Sequence, residues 1–323
     1  MHLITVDDTI SADRALRLID RGSTLLWEGD FQNAKQLLTA LRRRLPAARG
    51  GGFRDHRRHQ ALRARVLNSL LIATSDHTIS LRRAPDVRQA CLEAYGRPDG
   101  ERLIPLRELL GVIGAHQLRH EGIHVEALNA RIHPHYGVFA PTRSEYVDLV
   151  ADHPLPTATV AFDIGTGTGV LAAVLAQRGV PKVVATDNSE RAVACASDNV
   201  RRLGLDVEVV ETDLFPPGRA DLIVCNPPWI PARPISLLDH AVYDEDSRML
   251  HGFLNGVREH LNPSGEVWVI LSDLAEHLGL RSRSDLLTGF QYAGLRVVGR
   301  FSAVPRHRRA RDEEVTSLWR LCP

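Results

Sequence analysis

The chain has 323 residues, 44% of them hydrophobic, and its 40 lysines and arginines offset 39 aspartates and glutamates to a net charge of +1. That is enough apolar material for a full-sized catalytic domain and a smaller companion, and it excludes a protein whose binding is driven by a strong overall field. No apolar run approaches the roughly 20 residues of a membrane span, and Met1 to Asp8 lacks the basic and apolar zones of a signal peptide. The four cysteines, Cys91, Cys195, Cys225 and Cys322, have no metal-ligand spacing. No membrane partner, no bound metal and a reducing, cytoplasmic location are expected.

Residues 1 to about 120 show apolar positions at helical spacing and no clear strand alternation. Ala15, Leu16, Leu18 and Ile19 form one stripe, Leu37, Leu38, Leu41 and Leu45 a second, and Leu62, Val66, Leu67, Leu70 and Leu71 a third. Further helices are predicted over 85–95, closed by Gly96, and over 105–120, with a flexible break at Arg49 to Gly52. Residues 1–121 are therefore expected to be a helical domain. Arg42, Arg43, Arg44, Arg49, Arg54, Arg57, Arg58, Arg63 and Arg65 face only Asp55 within their stretch. With no aromatics interleaved to stack on bases, the solvated face of helices is the favoured reading, and phosphate or acidic-protein contact the other.

From Gly122 the pattern changes. Ile123 to Leu128 and Arg131 to Phe139 flank Asn129-Ala130 and predict a β-hairpin linker over 122–141, with Pro134 confining the second strand to an edge or bulge. Over 142–323 strands and helices alternate: strands at 159–164, 182–186, 206–211, 221–225 and 266–271, helices at 168–178, 189–203 and 247–261, then a terminal pair of strands at 295–301 and 315–321. This order predicts an α/β domain with a mostly parallel sheet and a ligand outside the carboxyl ends of its strands.

The informative residues fall at those ends. Gly165, Gly167 and Gly169, with Thr166 between, follow the first strand of this half and open a helix, so the backbone can turn sharply and approach a ligand closely. The spacing Gly-x-Gly-x-Gly differs from the Gly-x-Gly-x-x-Gly of a dinucleotide site and favours a nucleoside without phosphates. Asp163 precedes the loop, where a carboxylate can help to fix an ammonium group directly or through water. Asp187, followed by Asn188, ends the second strand, where it can accept from both ribose hydroxyls. Asp213 ends the third strand, where it can accept from an adenine amine while Leu214 covers the ring. Ammonium, ribose and adenine are the parts of S-adenosylmethionine, the expected cofactor.

The next strand ends in Asn226, Pro227, Pro228 and Trp229. An amide nitrogen is a poor nucleophile, so a site that alkylates it must hold the planar group with its lone pair facing the electrophile. The Asn226 side-chain oxygen and the Pro227 carbonyl can accept the two N–H hydrogens, the prolines stiffen the turn, and Trp229 can stack on the flat acceptor. Asn226 is also counted among the residues facing the cofactor.

With these motifs the chain resembles the class I S-adenosylmethionine-dependent methyltransferases over roughly residues 138–323. The resemblance implies a Rossmann-like seven-stranded sheet with an antiparallel last strand. The Asn-Pro-Pro-aromatic motif resembles that of amino-directed methyltransferases, and the layout that of the release-factor glutamine N-methyltransferases, which have a helical N-terminal domain and a hairpin linker. Pro141-Thr-Arg-Ser-Glu145 stands where that group has Pro-Arg-Pro-Glu-Thr, and Trp229 where tyrosine is commoner.

The resemblance implies N-methylation of a planar amide or amine, foremost a protein glutamine, with a protein partner such as a translation factor and substrate recognition by residues 1–121. An RNA base, a small metabolite or peptide, and a non-catalytic cofactor-binding module are the alternatives. Arg143 can pair with cofactor, acceptor or another side chain, and Tyr243 to Asp246 and Arg306 to Arg311 flank the expected mouth of the site. His116, His120, His124, His133 and His135 are read as surface or packing histidines.

Overall fold

The computed structural model describes residues 2–46, 52–234, 241–305 and 314–323. It divides into two compact units, Met1–Gln117 and Leu118–Pro323.

The first unit contains β1 (His2–Val6), α1 (Ala12–Asp20), β2 (Ser23–Trp27), α2 (Phe31–Arg44), α3 (Phe53–Leu67), β3 (Leu70–Ser75), α4 (Arg88–Tyr95) and β4 (Glu101–Pro105), and the division falls within α5 (Leu106–Glu121). It is α/β, not the expected all-helical domain: β1, β2 and β3 pair in parallel and β4 closes the sheet antiparallel to β3. The strands were hidden because they are five or six residues long and β2 is buried almost throughout, so it reads as an apolar run without alternation. Leu70 and Leu71, expected on the third helical stripe, instead begin β3 after α3 ends at Leu67.

Helix starts follow local chemistry. Ser11 and Asp30 accept from the backbone N–H groups of Arg14 and Gln32 and so cap α1 and α2. Arg44, Arg58 and Arg65 of the arginine-rich stretch pair with Asp13, Asp55 and Asp20, and Arg42, Arg43 and Arg54 are exposed, consistent with a solvated helix face. Arg49 and the following glycines through Gly51 lie outside the described residues.

The hairpin comprises β5 (Ile123–Val125) and β6 (Ala130–Ile132) around a 3-10 turn at Glu126–Leu128, with Asn129 in the left-handed region at φ 46°. Its second strand stops at Ile132 instead of reaching Phe139. The His133 N–H turns to Asn199 Oδ1 at 2.8 Å, and Pro134 has no N–H with which to extend the ladder. His133 Nδ1 lies 2.7 Å from the Arg119 carbonyl oxygen and His135 Nε2 3.0 Å from Asp198, both in packing roles.

Beyond the linker come α6 (Glu145–Asp152), β7 (Val160–Ile164), α7 (Val170–Gln177), β8 (Lys182–Asp187), α8 (Glu190–Leu203), β9 (Val207–Glu211), β10 (Ala220–Cys225), α9 (Arg248–His260), β11 (Leu261–Ser272), α10 (Leu274–His277), α11 (Arg283–Tyr292), β12 (Arg296–Ala303) and β13 (Thr316–Cys322). The seven strands lie in the order β12-β13-β11-β10-β7-β8-β9, and β13 runs antiparallel to both its neighbours. This is the expected Rossmann-like methyltransferase sheet. Apolar clusters cover both faces, one around Leu171, Leu222 and Trp268, the other around Phe162, Ile223 and Phe253.

Leu222 to Cys225 are fully buried, because β10 is central and has a helix layer on each side. Strand order reverses between β7 and β10, so the loops leaving them diverge and open a crevice at their carboxyl ends. Among the described residues no helix is long and apolar enough to cross a membrane.

Candidate active site at the carboxyl ends of the strands

That crevice is a cavity of about 870 Å³ within the second unit, a size suited to a nucleoside-sized ligand. Its floor is the turn from β7 into α7. Gly167, at φ 56°, lines it; a Cβ there would meet no atom within 4 Å and would project into the open crevice. Gly169, at φ 79°, does not line the cavity. A Cβ there would lie 3.1 Å from the Ala196 backbone, so this glycine lets the loop pack on α8. Gly165 and Thr166 line the crevice beside Gly167.

Asp163 does not reach the cavity, contrary to a direct contact with a bound ammonium. It is 1% exposed, and its Oδ2 accepts from the Thr166 hydroxyl at 2.6 Å and the Ala172 N–H at 3.0 Å. It therefore ties the loop to the first turn of α7. Burial pushes its pKa up to about 6, against the opposing pull of those two hydrogen bonds.

Between about pH 4 and pH 6 the folded chain thus holds a proton on Asp163 that the unfolded chain has released. This group's contribution makes the fold more stable as pH falls through that window, by up to about 3 kcal/mol. We expect the stability of the parent chain relative to Asp163→Asn to rise between pH 7 and pH 4 in paired denaturation curves. Curves that run parallel would show that Asp163 titrates normally.

Asp187 is half-buried and lines the crevice. Its carboxylate accepts from the Gly167 N–H and the Ser189 N–H, each at 3.0 Å, which binds the ends of β7 and β8 together. Burial raises its pKa in spite of these bonds. Asn188 and Asp213 are exposed at the crevice wall. Leu214 sits in the left-handed region at φ 67°, strained for a residue with a side chain, and is held there by Thr186 Oγ1 donating to its carbonyl at 2.6 Å.

Asn226, Pro227, Pro228 and Trp229 all line the same crevice after β10. The Trp229 indole N–H donates to Asn226 Oδ1 at 2.9 Å. Because an amide oxygen has two lone pairs, one acceptor direction of Asn226 remains open among the described residues.

The Arg143 guanidinium lies over the Trp229 ring, 5.5 Å from its centroid, so the ring has a cationic partner from its own chain. Arg143 also forms an ion pair with Glu314 at 2.7 Å. Glu314 was not singled out from sequence; it is 171 positions away, in a stretch without motif character.

Tyr243, Asp244 and Glu245 line the crevice. Asp244 caps α9 by accepting from Met249 and Leu250 N–H groups. Met249, Gly252 and Arg248 of α9 also line it and were not foreseen. Their only sequence signal is Gly252 inside a helix, where a Cβ would come within 3.0 Å of Leu214. Arg306 to Arg311 lie outside the described residues.

Residues 129–283 match the family described as the methyltransferase small domain. Over 166 residues the chain is 36% identical to a release factor glutamine methyltransferase of Geobacter sulfurreducens, the match covering 45% of this chain and 58% of that protein. Over 160 residues it is 28% identical to a putative protein N5-glutamine methyltransferase of Methanocaldococcus jannaschii, covering 47% and 80%. Over 131 residues it is 34% identical to a tRNA1(Val) (adenine(37)-N6)-methyltransferase of Bacteroides thetaiotaomicron, covering 36% and 54%. The chain thus spans little more than half the length of the first and third of these relatives. Together with the order and direction of its seven strands, the match identifies the region around this crevice, residues 129–283, as a methyltransferase small domain of the class I, S-adenosylmethionine-dependent kind.

Proposed function

We propose that the chain methylates the side-chain amide nitrogen of a protein glutamine. The observation that carries this reading is the acceptor direction of Asn226 Oδ1 that the Trp229 indole leaves open among the described residues, at a crevice that Pro227 also lines. Two acceptors at a rigid turn suit the two N–H bonds of a primary amide and orient its nitrogen lone pair toward the donor side. S-adenosylmethionine, when bound, supplies an electrophilic methyl group on a sulfonium sulfur.

The chain's own residues would then do the following. Asp187 accepts from the ribose hydroxyls, Asp213 from the adenine amine, and Leu214 covers the base. The backbone of Gly165, Thr166 and Gly167, with Asn188 on the crevice wall, surrounds the remainder, and Asp163 serves indirectly by holding Thr166 and α7 in place. The open space before Gly167 fits such a ligand, since any side chain there would fill it. No dedicated base is needed, because the nitrogen becomes acidic once methylated and can release its proton to water.

The relatives named for glutamine methylation support a protein acceptor of the translation-factor kind. The first unit is then the candidate for substrate recognition. A second reading, methylation of an RNA base amine, is favoured by the tRNA adenine relative, since a base amine presents a similar planar N–H₂ group.

Transfer of labelled methyl from S-adenosylmethionine into a cell lysate separates the two. We expect label that survives RNase, is lost to protease, and leaves as methylamine on acid hydrolysis, as a methylated amide requires. Label lost to RNase would overturn the glutamine reading in favour of RNA, and label already in the small-molecule fraction would overturn both.

A further inference from the structure

Asn226 has to present an oxygen, not its amide N–H₂, to the acceptor, yet the two ends of an asparagine side chain are nearly alike in shape. Trp229 removes the ambiguity. An indole nitrogen donates and cannot accept, so its 2.9 Å contact assigns that end of Asn226 as the oxygen and turns Nδ2 away. The direction of the remaining lone pair then depends on where the Trp229 ring sits.

That ring has an uncommon neighbour. Arg143 lies over it, with a side chain only 17% exposed, and is itself held by Glu314, which is 1% exposed and also accepts from the Ser272 hydroxyl at 3.0 Å. A second buried carboxylate, Glu145, lies 3.8 Å from Arg143, and both its oxygens lack a hydrogen-bond partner among the described residues. Arg143, which itself lines the crevice beside Trp229, is therefore drawn to two carboxylates, Glu145 at the start of α6 and Glu314 just before β13.

We propose that Arg143 and Glu314 are positioning residues for Asn226 and act on it through Trp229. Glu314 fixes the plane of the guanidinium, the guanidinium fixes the plane of the indole, and the indole N–H fixes the amide. This deepens the reading of Asn226 as the acceptor-holding group and rests on it. It also gives Trp229 a role distinct from stacking on substrate.

The test must separate this relay from mere structural support, because Arg143→Ala would leave two buried carboxylates without their cation and could simply unfold the region. Arg143→Lys keeps the charge and loses the planar stack. Trp229→Phe keeps a ring and loses the N–H donor. Glu314→Gln keeps the shape and loses the ion pair.

We expect Arg143→Lys to lower kcat by about 3- to 10-fold, the size of a partly buried cation–ring contact. Trp229→Phe should lower it by about 10-fold, the size of one hydrogen bond, with S-adenosylmethionine affinity unchanged in both. Combining the two should be no worse than Trp229→Phe alone, because the arginine acts only through the indole N–H. The indole N–H resonance of Trp229, assigned by its loss in Trp229→Phe, should shift and exchange faster with solvent in both Arg143→Lys and Glu314→Gln.

Additive losses in the double variant, or an indole resonance unmoved by Arg143→Lys, would overturn the relay. The resonance is read on the folded chain without any acceptor. A wrong assignment of glutamine as the acceptor would appear in the labelling experiment and leave this measurement intact.

Discussion

Replacing Asn226 with alanine should lower turnover by about two to three orders of magnitude while S-adenosylmethionine binds nearly as before, the size of effect seen when one preorganised polar group facing the reacting centre is removed. The fold should tolerate the change, because Asn226 is half-buried at the end of β10 and, among the described residues, its side-chain oxygen has one partner, the Trp229 indole. The backbone that anchors the turn belongs to Pro227 and Pro228, which remain. Calorimetric titration of the cofactor alongside single-turnover methyl transfer would measure both halves of the expectation. Unchanged turnover on the true acceptor would remove Asn226 from the mechanism, and a large loss of cofactor affinity would move it to the donor side of the crevice.

Asp187→Ala should show the opposite split. Its carboxylate joins Gly167 to Ser189 by two backbone hydrogen bonds and lines the crevice, so the change removes an acceptor for the ligand and also loosens the glycine loop. Charge-assisted hydrogen bonds of this kind contribute about 1.5–3 kcal/mol each, so losing the ligand's share alone weakens binding by about 10- to 100-fold. Loosening of the loop adds to that. We expect the dissociation constant to rise by about 100-fold, with turnover largely restored at saturating cofactor. An affinity within about threefold of the parent chain would exclude Asp187 as a main ligand contact.

These two residues were legible in the sequence because each stands at a strand end, and strand ends in an alternating β/α pattern face the ligand. The loop glycines were legible for a related reason: positive φ at 165, 167 and 169 favours residues without side chains. Asp163 shows where that reasoning stops. Its position before the loop suggested contact with the ligand, but pleat geometry alternates side chains between the two faces of a strand. The face that Asp163 occupies is buried against α7.

The first unit departs from an all-helical domain for a different reason. Its helices carry clear apolar stripes, whereas β2 is buried on nearly all sides and gives no alternation. Leu70 and Leu71 continued the spacing of α3 closely enough to pass for its next turn. Asn68, at the end of α3, was the local sign that the helix stops before them.

By itself the sequence determined the alternation of strands and helices over the second half, the crevice at the strand ends and the residues that form its floor, because each of these follows from periodicity or chemistry within a few neighbouring positions; the seven-stranded sheet with its antiparallel last strand came from the family resemblance of those motifs. Only the tertiary structure decided that Arg143 pairs with Glu314 and covers Trp229, and that Trp229 in turn holds the oxygen of Asn226. Those contacts join residues up to 171 positions apart. They exist because the sheet brings the ends of β10, β11 and β13 and the start of α6 within reach of one another, and a pairing made by chain closure over that distance leaves no local pattern to read.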